Sequence, residues 1–182
     1  MGFHHLALAT PDLDATHAFY TEAMGFDLVK IVIGPTPEGG WAKHAFYDTG
    51  GDGMIAFWDL HVDAFPPVDG ALSRSVGLPD WVNHVAFTAH DRAHLDSCRK
   101  RWLDHGLDVF EVDHGFCVSI YTNDPNSTMV EWCLDSRPLD DDDKADAAKW
   151  LTVTEPPEGW TDPKPSMEFH KADPALRPAW MG

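Results

Sequence analysis

Hydrophobic and polar positions follow two periods along this chain, and the two alternate in the same order twice. Residues 3–10, FHHLALAT, form a short apolar run of strand length. From Asp12 to Met24, the residues Leu13, Ala15, Ala18, Phe19 and Ala23 trace one helical face, with Asp12 suited to the N-cap and Gly25 to the C-terminal stop. Strand-like segments at 26–33, 41–48 and 53–60 complete a βαβββ order. A second set begins with a strand at 82–89, a cap at Asp91, a helix over 92–105 and a stop at Gly106. Strands near 107–112, 115–122 and 128–134 close it.

Other landmarks support a duplication. His5 precedes Asp12 by seven residues, and His84 precedes Asp91 by seven. YDTGGDGMIAFW (47–58) aligns without a gap on YTNDPNSTMVEW (121–132), which sets Phe57 opposite Glu131. The chain therefore divides into module 1 (1–62) and module 2 (82–135), joined by a Pro- and Gly-bearing linker (63–81). The expected class is α+β: two tandem βαβββ modules and an irregular tail over 136–182. That tail carries the acidic run Asp140–Asp143, a short helical stretch at 144–151, prolines 156, 157, 163, 165, 174 and 178, and tryptophans 150, 160 and 180. Tryptophans so placed imply that the tail docks, on its own domain or on a partner.

Composition narrows the function. The 182 residues suit one ordinary domain, and 43% hydrophobic content is that of a globular chain. A formal net charge of −17 argues against nucleic acid, which is bound by neutralising phosphates, and disfavours polyanionic substrates. No apolar run is long enough to span a bilayer, so no membrane is expected, and without a visible secretory signal the expected compartment is the cytoplasm. Cys98, Cys117 and Cys133 have no CxxC spacing and suit reduced core positions.

Alternation along the strands brings out the chemistry. His5 shares a face with Ala7 and Ala9, and His84 with Ala86 and Thr88, while bulky apolar residues point the other way. One face of each module packs on its helix; the other, small and bearing histidine, is free to line a cavity. Glu131 stands between Val130 and Trp132, where a charge is costly unless paired or bound to metal. A single strand histidine is more often structural. Two at matching positions with a glutamate form a metal-ligand set: His5, His84 and Glu131.

On these residues the chain resembles the vicinal oxygen chelate superfamily over about residues 3–135. The resemblance implies a half-open barrel around one divalent ion, Fe(II) favoured, with Mn(II) or another ion as alternatives. It implies a small-molecule substrate bound through two adjacent oxygens, and a homodimer. VDHGFCVSIYTNDPNSTMVE (112–131) is similar to the extradiol dioxygenase pattern of histidine, Ile-Tyr, Asp-Pro and ligand glutamate. That branch implies cleavage of a catechol-like ring with O2, Tyr121 bonding the substrate oxygen and His114 lining the pocket. The branch's further acid/base histidine would fall at Gly53, so His44, or His61, is expected to replace it. Trp41, Phe57 and Trp81 are expected to line the substrate site. Phenylalanine opposite Glu131 disfavours the four-ligand centre that the resemblance associates with glyoxalase-like isomerases and lyases. A thiol transferase acting on fosfomycin needs a cationic cluster, and a metal-free drug-binding protein of the bleomycin-resistance type usually lacks the triad. Ser127, where relatives carry a turn glycine, is expected to avoid positive φ.

Overall fold

The computed structural model describes residues 2–51, 53–156, 158–159 and 165–181. Of the tail residues singled out above, Trp160, Pro157 and Pro163 lie outside them. Module 1 builds a four-stranded sheet from β1 (His5–Ala9), β2 (Asp27–Pro35), β3 (Trp41–Asp48) and β4 (Met54–His61), in the order β1-β4-β3-β2. Module 2 repeats it with β5 (His84–Thr88), β6 (Val109–Asp113), β7 (Cys117–Asn123) and β8 (Met129–Asp135). A ninth strand, β9 (Ser166–His170), extends the second sheet to β5-β8-β7-β6-β9. In both sheets the outer pair, β1 with β4 and β5 with β8, is parallel and the remaining pairs are antiparallel. The fold is α+β, with curled sheets that do not close into a barrel.

The helices begin where the caps place them. Asp12 accepts the amide of Ala15, and Asp91 that of His94, opening α1 (Leu13–Ala18) and α2 (Arg92–Asp104). The first helix does not stay α-helical to Met24: from Phe19 to Ala23 it widens into a π-turn, closed by Met24 N–H donating to the Phe19 carbonyl. A third helix, α3 (Asp141–Trp150), carries the acidic run in its first turn, with an Asp140–Asp143 capping box. No described helix is long and apolar enough to cross a membrane.

Pairing corrects the gap-free alignment of the two copies. Ala7 pairs with Ala56 in the first sheet, as Ala86 pairs with Glu131 in the second. The counterpart of Glu131 is therefore Ala56, not Phe57, and that of Tyr121 is Phe46. One residue of offset moves a side chain to the other face of a strand. Ala56 offers a metal no more than phenylalanine would. Ser127 departs from expectation as well: its φ is 60°, left-handed, in the turn where its amide donates to the Asp124 carbonyl.

The backs of both sheets and the inner faces of the helices share one core, with Tyr20, Phe57, Leu95, Trp102, Ile120 and Trp132 at its centre. The tail docks on its own domain. Trp180 packs edge-on against Phe19, and Gly106 lies so close to the Leu176 carbonyl that a Cβ there would collide with it.

A buried polar bridge joins the modules. Tyr20 Oη, the Asn126 side chain and the amides of Asn126 and Thr128 all donate to the Asp124 carboxylate, while Thr10 Oγ1 donates to Asn126. Burial outweighs these donors and pushes the Asp124 pKa up to about 6. A carboxyl whose folded pKa is raised contributes stability in acid that is lost as pH rises through the folded value. The difference in unfolding free energy between wild type and Asp124→Asn should therefore fall by roughly 2 kcal/mol between pH 4 and pH 7 and be flat above it. Urea titrations across that range measure it; a pH-independent difference would contradict the account.

Candidate metal centre

Strand register assembles the second module's site. Glu131 on β8 pairs with Ala86 on one side and Tyr121 on the other, and His84 shares the Ala86 face two residues away. His84 Nε2 lies 3.0 Å from Glu131 Oε2. The other ring nitrogen, Nδ1, is 3.1 Å from the Trp81 carbonyl oxygen, which can only accept, so Nδ1 carries a proton. In the neutral ring the Nε2 lone pair then faces a carboxylate oxygen. Two acceptors at that distance need a second ring proton or a cation between them. Ligand atoms each about 2.1 Å from one ion and at right angles stand about 3.0 Å apart. The backbone carbonyl behind His84 is the outer partner that a ligating imidazole requires. Glu131 is 5% exposed, and no described lysine or arginine pairs with it, so its charge has no other counter-ion. The donor set fits a divalent ion.

Tyr121 and His114 join this group. His114 Nε2 is 3.0 Å from Tyr121 Oη, and the Tyr121 ring stands edge-on to His84. Burial, with the Glu131 charge adding to it, holds the phenol well above its ordinary pKa. Tyr121 therefore keeps its proton at neutral pH.

His5 stands apart, on the first sheet. Its Nδ1 is 2.8 Å from that of His4, and its ring packs edge-on against Phe46 and His44. His44 is buried, stacked on Trp58 at 3.7 Å, and its Nε2 has no hydrogen-bond partner. Burial first, then the neighbouring His5, lowers its pKa and keeps it neutral. Within a single chain His5 does not come within ligand reach of His84 and Glu131.

Of the three expected substrate-lining aromatics, two are corrected. Phe57 is fully buried and packs on Tyr20 in the core, because its pairing with Leu8 and Ala45 turns it away from His5. Trp41 pairs with His61, one face away from His44, and stacks on that ring at 3.8 Å. The same pairing takes His61 off the His5 face. A recess of about 840 Å³ beside Trp41 and His61 contains none of the ligand set. Trp81 touches His84 through its backbone carbonyl, which orients the imidazole, and its side chain is largely exposed.

Among the described residues, one trio of ligand-type side chains has its atoms within 4.8 Å of one another: Glu111, Glu168 and His170. Arg92 and Arg99 each take one oxygen of Glu111, and His170 also approaches it. Both carboxylate oxygens are thus committed to guanidinium groups, which hold its pKa below the usual range despite burial. The trio is an ion-pair network tying β9 to α2. Its sequence signal was the alternation SMEFH at 166–170, polar and apolar in turn.

Residues 2–132 match the model of the Glyoxalase/Bleomycin resistance protein/Dioxygenase superfamily. Lactoylglutathione lyase from Agrobacterium tumefaciens shares the fold at 24% identity over 73% of this chain and 92% of its own, with a TM-score of 0.51. A genomically encoded fosfomycin resistance protein from Listeria monocytogenes does so at 19% identity, 75% and 94% coverage and a TM-score of 0.53. A glyoxylase/bleomycin resistance protein/dioxygenase domain from Frankia sp. EAN1pec gives 20%, 74%, 98% and 0.52. No curated protein matches the sequence.

Metal uptake separates the two clusters. Glu131→Ala should weaken Mn(II) binding at least about 100-fold, while Glu111→Ala leaves it within about twofold, as read by electron paramagnetic resonance of free Mn(II). The reverse order would move the centre to the β9 network.

Proposed function

The chain belongs to the Glyoxalase/Bleomycin resistance protein/Dioxygenase superfamily, and from that footing we propose a metal-dependent enzyme of the extradiol dioxygenase type. The substrate class is a catechol-like ring bound through its two adjacent oxygens. The observation that carries this reading is the 3.0 Å contact of His114 with Tyr121, set in the row beside Glu131. His84 and Glu131 hold the ion, Fe(II) by preference or Mn(II), and His5 of a second copy completes the set in a homodimer. Supporting the shared centre, His5 and the His84–Glu131 pair lie on separate sheets, each half open at the surface.

A divalent ion held there supplies Lewis acidity toward the two substrate oxygens. Tyr121, kept protonated and oriented by His114, donates to the substrate oxygen nearest Glu131. His44, kept neutral, travels with His5 into the shared site and accepts the hydroxyl proton. The overall reaction consumes one O2, breaks the ring carbon–carbon bond beside the hydroxyl-bearing carbons and leaves both oxygen atoms in the product. Ala56, at the first module's counterpart of Glu131, weighs against a four-ligand isomerase or lyase. The buried Glu131 carboxylate, 3.0 Å from His84 Nε2 and with no described lysine or arginine beside it, weighs against a metal-free binding protein.

Protein purified anaerobically, loaded with Fe(II) and given a catechol panel should consume O2 and form yellow ring-opened product, with Tyr121→Phe lowering kcat by about 10²-fold. No O2 uptake across the panel would transfer the protein to the isomerase or binding class. Copies carrying His5→Ala, mixed and exchanged with copies carrying Glu131→Ala, should recover part of the activity that each lacks alone. A mixture as inactive as its parents would contradict the shared centre.

A further inference from the structure

Strand β9 turns His170 inward and leaves two large apolar side chains exposed. His170 turns inward to the Glu111 carboxylate that Arg92 and Arg99 also hold, while Glu168 is largely exposed. The strand's apolar side chains, Met167 and Phe169, point outward and are 57% and 54% exposed. A strand on a one-sided sheet normally buries its apolar face and wets its polar one. Here the His170–Glu111 contact on the back holds the strand with Met167 and Phe169 at the front.

That front is the face of the candidate centre. Pairing runs in one row from Ala86 to Glu131, Tyr121, Phe110 and Phe169. Paired residues share a face, and strands lie about 4.8 Å apart, so Phe169 stands about 14 Å from Glu131 with Tyr121 and Phe110 between them. Residues 166–170 lie beyond the segment, 2–132, that matches the family. The row thus joins residues of the shared fold to an apolar extension from this chain's own tail.

We propose that Phe110 and Phe169 form a specificity wall for the centre at His84 and Glu131. The wall selects chelating substrates that carry an extended apolar or aromatic body about two rings long. The chelating end sits at Glu131, and the body lies over Phe110 and against Phe169. The inference rests on the metal-centre reading above but not on ring cleavage. It commits to the substrate's body as what covers the face, because the aromatic pair continues the row that contains Tyr121 and Glu131.

The test uses the full chain loaded with Mn(II) and two hydroxamate probes, which chelate a divalent ion through vicinal oxygens whatever reaction the enzyme performs. Acetohydroxamate is short; biphenyl-4-carbohydroxamate spans the row. Calorimetric Kd values should favour the long probe by at least about tenfold in the wild type. Phe169→Ala should erase most of that preference while moving acetohydroxamate by less than about twofold, and Phe169→Trp should retain it. Equal Kd values for the two probes would overturn the wall. So would a preference undiminished in Phe169→Ala, or loss of dimer in that variant with the preference intact, which would assign the face to subunit contact. Persistence of the preference in protein that never consumes O2 would reject the dioxygenase reading alone.

Discussion

The parallel pairing of β5 with β8 sets Ala86 beside Glu131, and the direction of each side chain on the second sheet follows from that register. His84 shares the face because it lies two residues from Ala86, and Tyr121 because it is the next partner across. Val130 and Trp132, on either side of Glu131, are driven into the core by the same alternation. A slip of one residue would bury the carboxylate among aromatic rings and expose tryptophan, so the hydrophobic effect on one face enforces the chemistry on the other.

Much of this is legible in the amino-acid sequence itself. The βαβββ order came from alternating periods, and Asp12 and Asp91 were readable as caps because a carboxylate before an apolar helical face has one obvious use. His84, Glu131, Tyr121 and His114 could be placed together because strand alternation and a compact motif fix relative positions over short distances. Long-range offsets were harder. Phe57 seemed to oppose Glu131 because two tryptophans aligned, yet Trp132 corresponds to Phe57 and Trp58 to Cys133 once the pairings are known. Identity of residue type was a weaker guide than hydrogen-bonded register.

Three-dimensional outcomes that depend on distant packing were not legible. Nothing in the first module's pattern says that His5 and the His84–Glu131 pair lie on separate sheets of one chain. That follows from how the backs of both modules share a core. Trp41 is expected by its type at the substrate site and His61 as a substitute acid/base, but pairing with one another places them a face away from His44. The tail's Pro-rich composition concealed a five-residue strand, because it is held by pairing with β6 and by the His170–Glu111 contact rather than by local propensity.

The proposed chemistry requires that His84 and Glu131 together hold a divalent ion. Crystals of the Fe(II)-loaded protein, grown without oxygen and measured on both sides of the iron absorption edge, test it most directly. One anomalous peak per chain is expected, about 2.1 Å from His84 Nε2 and Glu131 Oε2, with a histidine of a second copy as further ligand. A peak at Glu111, Glu168 and His170, or none at His84 in a fully loaded sample, would contradict it.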